Sequence, residues 1–158
     1  YDADRCPTGR LHRRAEPMGE GEFHLVVYAW IRGGDGRYLL TKRSPNKGYP
    51  NMWECTGGSA LAGDDSLTAA LREVREETGL RLDPMRGRRV ASHKVTGRFE
   101  DVWLFERDVA LDELTLQEGE TCGAMLARAD EILELRREGR MAPTGSFELA
   151  ELLKLMEG

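Results

Sequence analysis

The sequence predicts a mixed α/β domain. Three observations carry this: β-rich runs precede and follow one strongly periodic helix, turn residues separate them, and two amphipathic helices close the chain. Phe23–Ile31 (FHLVVYAWI) is rich in β-branched and aromatic residues and stops at Gly33-Gly34-Asp35-Gly36. Arg37–Arg43 follows, so a hairpin is expected. Met52–Thr56 reads as a short strand ended by Gly57-Gly58. Asp64–Thr78 is the clearest helix, with Leu67, Leu71, Val74 and Thr78 at helical spacing. Asp64 or Asp65 can cap its start, and Gly79 suits a left-handed end followed by apolar Leu80.

Arg88–Val95 and Glu100–Val109 read as two strands split near Gly97, and Thr121–Ala127 as another. Ala129–Arg137 is a helix closed by Gly139. Ser146–Met156 is the last helix, with Phe147, Leu149, Leu152, Leu153 and Met156 as its apolar set. Residues 1–21 are polar and turn-rich, an arm with room for one short strand, and 22–158 form the domain.

The 158 residues suit one domain. With 40% hydrophobic and 32% charged residues the composition is that of a globular protein rather than a disordered one. A net charge of −5 argues against a nucleic-acid polymer as partner. A single phosphate site needs only a few basic groups. Cys6, Cys55 and Cys122 are odd in number and far apart, so a reducing cytoplasm is expected. No apolar run approaches a membrane span, and no basic segment leads into an apolar stretch near the start.

Residues 72–80 read Arg-Glu-Val-Arg-Glu-Glu-Thr-Gly-Leu. At ~100° per residue, Glu73, Glu76 and Glu77 share an arc of roughly 100° beside the apolar stripe. One reading is a solvated face with an Arg72–Glu76 pair. Against it, Glu73 and Glu77 are like charges at i,i+4, which disfavours the helix. The cluster also follows a glycine-rich loop (Gly57, Gly58, Gly63). Clustered carboxylates where the backbone approaches closely suit a hard divalent cation, which bridges carboxylates to substrate phosphates.

Gly58, five residues, Asp64, seven residues, then Arg72-Glu73-Val74-Arg75-Glu76-Glu77-Thr78-Gly79-Leu80 resembles the Nudix box. That box is Gly-x5-Glu-x7-Arg-Glu-U-x-Glu-Glu-x-Gly-U, with U bulky and apolar. Its one departure is Asp64 in place of the first Glu. The resemblance implies an α/β/α sandwich with a mixed sheet. It also implies hydrolysis of a small-molecule diphosphate, expected to be nucleotide-type, with Mg²⁺ or Mn²⁺. By position, Glu73 and Glu77 would be the main metal ligands, Glu76 a further or water-mediated one, and the Gly57 carbonyl another. Arg72 would orient the glutamates. Asp64, one methylene short, is expected to cap the helix rather than meet the metal. Homodimers are common in the family.

Outside the box, Glu118 and Glu120 precede the Thr121 strand, and Glu120 is the first candidate for the base that activates water. Arg43 and Lys47 flank the loop before the box and suit phosphate contact; Arg98 is a further candidate toward substrate. Trp53 is expected in the core, and His24 as a packed histidine. His24-Leu25, Arg43, Lys47, Pro50 and Trp53 also resemble type I isopentenyl-diphosphate isomerase. That family's catalytic Cys would fall at Gly58, and no His follows Trp53. The alternatives are therefore an isomerase-like enzyme and a non-catalytic nucleotide-sensing domain; the full glutamate set disfavours both.

Overall fold

The computed structural model describes residues 1–13 and 16–158; within the arm, Arg14 and Ala15 lie outside the described residues. The described strands are β1 (His24–Arg32), β2 (Tyr38–Arg43), β3 (Trp53–Glu54), β4 (Thr56–Ser59), β5 (Gly87–Val95), β6 (Arg98–Glu106) and β7 (Thr121–Ala127). The helices are α1 (Ser66–Thr78), α2 (Ala129–Arg137) and α3 (Leu149–Glu157). The strands form one mixed sheet in the order β3-β2-β1-β6-β5. β4 pairs with β1, and β7 with β2. β1 and β6 run parallel and every other pair is antiparallel.

Period-2 alternation along β1 sorts its side chains between two cores. Leu25, Val27, Ala29 and Ile31 face one side, where they meet Ala69, Ala70 and Val74 of α1. Trp30 faces the other, which holds Ile132 and Leu135 of α2 and Leu152, Leu153 and Met156 of α3. The expected α/β/α sandwich with a mixed sheet is what the chain forms.

Several local expectations change. The hairpin opens almost at once: β1 and β2 share only the register pair Arg32↔Tyr38. Beyond it β1 takes β4 as neighbour and β2 takes β3 and β7. The expected strand at Met52–Thr56 is thereby two, one on each side of the opening. Gly57-Gly58 do not end a strand; they lie inside β4, opposite Tyr28 and Val27. They are glycines because the approach is close. A Cβ on Gly57 would stand 2.6 Å from the Val27 carbonyl oxygen, and one on Gly58 would overlap the Glu73 carboxyl group.

Helix α1 starts at Ser66, capped by Asp65, whose Oδ1 accepts from the Thr68 N–H at 2.7 Å. Asp64 is not the cap. Asp65 has the extended backbone of a capping residue and turns its carboxylate to the first turn, while the Asp64 carboxylate accepts from Arg72 and the Leu61 N–H. Gly79 ends α1 at φ 76°, its N–H donating to the Arg75 carbonyl. The last helix begins later than expected, at Leu149; Phe147 precedes it and stacks on His93 with ring centroids 4.0 Å apart. The described part of the arm holds no strand.

The two strand glycines differ in what opposes them: rigid backbone at Gly57, the end of a flexible side chain at Gly58. Gly57→Ala should therefore lower stability by ~1–3 kcal/mol, while Gly58→Ala should change it by less than ~1 kcal/mol. Urea unfolding of the two variants checks the order, and a larger loss at Gly58 would contradict it.

Candidate active site

The last two turns of α1 carry the three glutamates, and Arg72 holds two of them. Its Nη1 donates to Glu73 Oε1 at 3.0 Å and to Glu76 Oε2 at 3.1 Å. Its Nε donates to Asp64 Oδ2 at 3.0 Å, and its Nη2 to the Ser59 carbonyl at 3.0 Å. One guanidinium thus joins three carboxylates of the helix and its lead-in loop to the end of β4. The planar fork of arginine suits this; lysine would offer a point charge.

Glu77 is different. It is 5% exposed, and its Oε2 is buried with no hydrogen-bond partner among the described residues. Burial raises its pKa, the nearby Glu54, Glu73 and Glu120 add to this, and Lys47 offsets part of it, leaving the value at about 8. Glu54, on β3, is itself pushed up by burial, against the hydrogen bond from Arg43.

The Glu77 backbone anchors the loop before β7. Its carbonyl accepts from Gln117 N–H at 3.1 Å, and the Thr78 carbonyl from Thr115 N–H at 2.9 Å. That loop places Glu120, whose carboxylate pairs with Lys47 and whose carbonyl accepts from Ser44 N–H at 3.0 Å. Glu73, Glu76, Glu77, Glu120, Lys47 and Gly57 all line one cleft of about 990 Å³, together with Asp64 and Arg72.

The other expected cations are engaged elsewhere. Arg43 donates to Glu54 Oε2 and to the Gly48 carbonyl, each at 2.5 Å, and lies outside the cleft lining. Arg98 donates to Glu100 Oε1 at 2.6 Å and is also outside the lining. Each thus pairs with a more buried carboxylate of the chain, Arg43 with Glu54 on the neighbouring strand and Arg98 with Glu100 two positions along its own. Glu54 is the residue that sequence reading missed. It sits in no motif, and its relevance comes from burial near Glu77. Asp64, expected to cap, instead takes Arg72 Nε.

These residues fit a hard divalent cation. The donors are oxygens, and a buried carboxylate oxygen without a partner requires a proton or a cation. No three acidic, histidine or cysteine side chains among the described residues stand together as a ready ligand set.

The NUDIX domain family model matches residues 22–146. The chain is 39% identical over 150 residues to an uncharacterized Nudix hydrolase of Listeria monocytogenes, covering 94% of this chain and 88% of that one. It is 25% identical over 139 residues to an isopentenyl-diphosphate Delta-isomerase of Salmonella heidelberg, covering 87% of this chain and 69% of the isomerase. Its fold is similar to the crystal structure of DR0079 from Deinococcus radiodurans, with a TM-score of 0.71 at 24% identity, over 90% of this chain and 88% of that one. A fold, a box on a loop and helix, and a family model spanning most of the chain agree: it belongs to the Nudix hydrolases, enzymes that cleave pyrophosphate bonds and generally use divalent metal ions.

Proposed function

We propose that this chain is a Mg²⁺-dependent hydrolase of a nucleotide-type diphosphate, acting in the cytoplasm. The observation that supports it most is the buried, unpartnered Glu77 carboxylate beside the Arg72-held glutamates at one cleft. Glu73 and Glu77 are the main ligands, with Glu76 and the Gly57 carbonyl as further ones. Once bound, the ion offsets the diphosphate charge and favours ionisation of a water. Arg72 keeps the ligands oriented. Lys47 presents its ammonium to the diphosphate, and Glu120 takes the proton from the attacking water. In the free protein the Glu120 carboxylate is paired with Lys47. A diphosphate competing for Lys47 would free that carboxylate to act as a base. The three cysteines are free, which suits a reducing compartment.

The likeness to an isomerase makes isopentenyl-diphosphate isomerisation the second reading. Cys55 does not support it. The thiol is 4% exposed, and burial drives its pKa up. A panel of nucleoside triphosphates, nucleotide sugars, dinucleoside polyphosphates and isopentenyl diphosphate, with and without Mg²⁺, tests the assignment. Metal-dependent phosphate release from a nucleotide is expected; allylic product without release would favour the isomerase, and tight binding without turnover a sensing domain.

Glu73→Gln and Glu77→Gln should each lower kcat by at least ~10³-fold with the fold retained by circular dichroism, and Glu120→Gln by ~10²-fold or more. Losses of only a few fold would remove these residues from the roles given.

Glu77 also makes stability depend on pH. Its folded pKa of about 8 lies above its ordinary value, so the unfolded chain releases that proton first, and stability falls as pH rises toward 8. His24 acts oppositely: burial, Arg98 and His12 lower its pKa, so its contribution rises with pH and is complete by about its ordinary 6.5. Between pH 6.5 and 8, with a chelator present, stability should drop by about 1 kcal/mol, or ~2–4 °C in Tm. Glu77→Gln should remove most of that slope; an unchanged slope would show that Glu77 titrates normally.

A further inference from the structure

The cleft that holds the glutamates has a second wall, and it comes from outside the family domain. That domain begins at residue 22, yet Pro7, Gly9, Leu11 and His12 of the arm line the same cleft as Gly58 and Glu73. The arm is pinned there by a buried carboxylate. Asp101, on β6, is fully buried. It accepts Arg5 through both guanidinium nitrogens, Ser92 Oγ at 2.6 Å and Ser66 Oγ at 2.5 Å. Burial alone would raise its pKa, but the bonds from Arg5, Ser66 and Ser92 outweigh this and hold it at about 2. Arg5 takes φ 64°, a region that L-residues other than glycine seldom enter. Asp2 Oδ1 accepts from Cys6 N–H at 2.8 Å, and Lys94 Nζ donates to the Ala3 carbonyl at 2.5 Å. Residues 2–6 are therefore a built knot, and residues 7–12 extend from it across the cleft.

The arm brings polar groups to the cleft, among them Arg10, whose guanidinium pairs with Glu22 at 2.7 Å, and it also brings apolar surface. Leu11 is 83% exposed, and Leu61, on the loop before α1, is 58% exposed. Both line this cleft, with Met18 and Phe23. Large apolar side chains left in water at a ligand cleft mark a surface completed by a ligand. The carboxylates at the other part of the cleft take the cation and the diphosphate, so the apolar part remains for the rest of the substrate.

We infer that the arm, locked by Arg5 to Asp101, is the specificity wall of this hydrolase: residues 7–12 pack Leu11 against the organic moiety of the substrate and do not touch its diphosphate. This rests on the diphosphate reading above. Leu11→Ser perturbs the wall without risk to the fold, since Leu11 is almost wholly exposed. Arg5→Ala releases the knot, which faster hydrogen exchange over residues 7–12 would register.

The test is calorimetric binding, with Mg²⁺, of three non-hydrolysable probes to the full chain and both variants. Imidodiphosphate carries no organic group; a nucleoside α,β-methylene-diphosphate and a prenyl methylenediphosphonate each carry one. The wild type should bind at least one organic probe more tightly than imidodiphosphate. Both variants should weaken that probe at least fivefold and change imidodiphosphate by less than twofold. Equal losses on both kinds of probe, or none on either, would overturn the wall. So would a wild type that prefers neither organic probe. A wild type that fails to bind even imidodiphosphate would instead overturn the diphosphate reading itself.

Discussion

Carboxylates crowded at the end of a helix repel one another, and the site exists because Arg72 binds them to one another and to the sheet. Its guanidinium reaches Asp64, Glu73, Glu76 and the Ser59 carbonyl. Those four contacts fix the lead-in loop, the helix and the end of β4 in a single arrangement. The arrangement also depends on Gly58, which leaves room for the Glu73 carboxyl group against the strand. Glu77 stands outside this compensation. It is buried with Glu54 nearby and no donor at Oε2, and it is the group that gains most from a cation. Position and lack of compensation together distinguish it from its two neighbours.

The parts legible in the sequence were those set by helical periodicity and short-range caps. The spacing from Arg72 to Glu77 places three carboxylates on one side of α1, and Gly79 ends the helix as its left-handed φ requires. The choice between Asp64 and Asp65 was not legible, because both are good caps and only the loop path decides which one faces the first turn. Nor was the opening of the β1–β2 hairpin. It depends on which strands compete for each edge, a long-range matter that put Gly57-Gly58 inside a strand instead of after one. Arg43 and Arg98 were read from residue type alone. The fold pairs them with the carboxylates of Glu54 and Glu100, partners that residue type does not reveal. The arm read as loose chain because its anchor, Asp101, lies far along the sequence.

The shared domain and the arm divide the labour. Residues 22–146 match the family and carry the residues proposed to hold the cation, which line the cleft. The isomerase likeness covers 87% of the chain, and within it Cys55 is sealed into the α2/α3 core.

The parallel pairing of β1 with β6 has a consequence for how the chain comes to be folded. Arg32 and Glu106, paired at its far end, are 74 residues apart. α1 and its carboxylates lie within the intervening loop. Closing so long a loop is entropically unfavourable and comes late in folding, after local helices and hairpins have formed. α1 can acquire helical structure early and has β1 and β4, both made before it, to rest on, but the β6 edge of that platform is missing until β1 and β6 meet. On the ribosome, then, the glutamates are made before β6, and their surroundings are complete only after β6 has emerged and the central pair of strands has closed behind them.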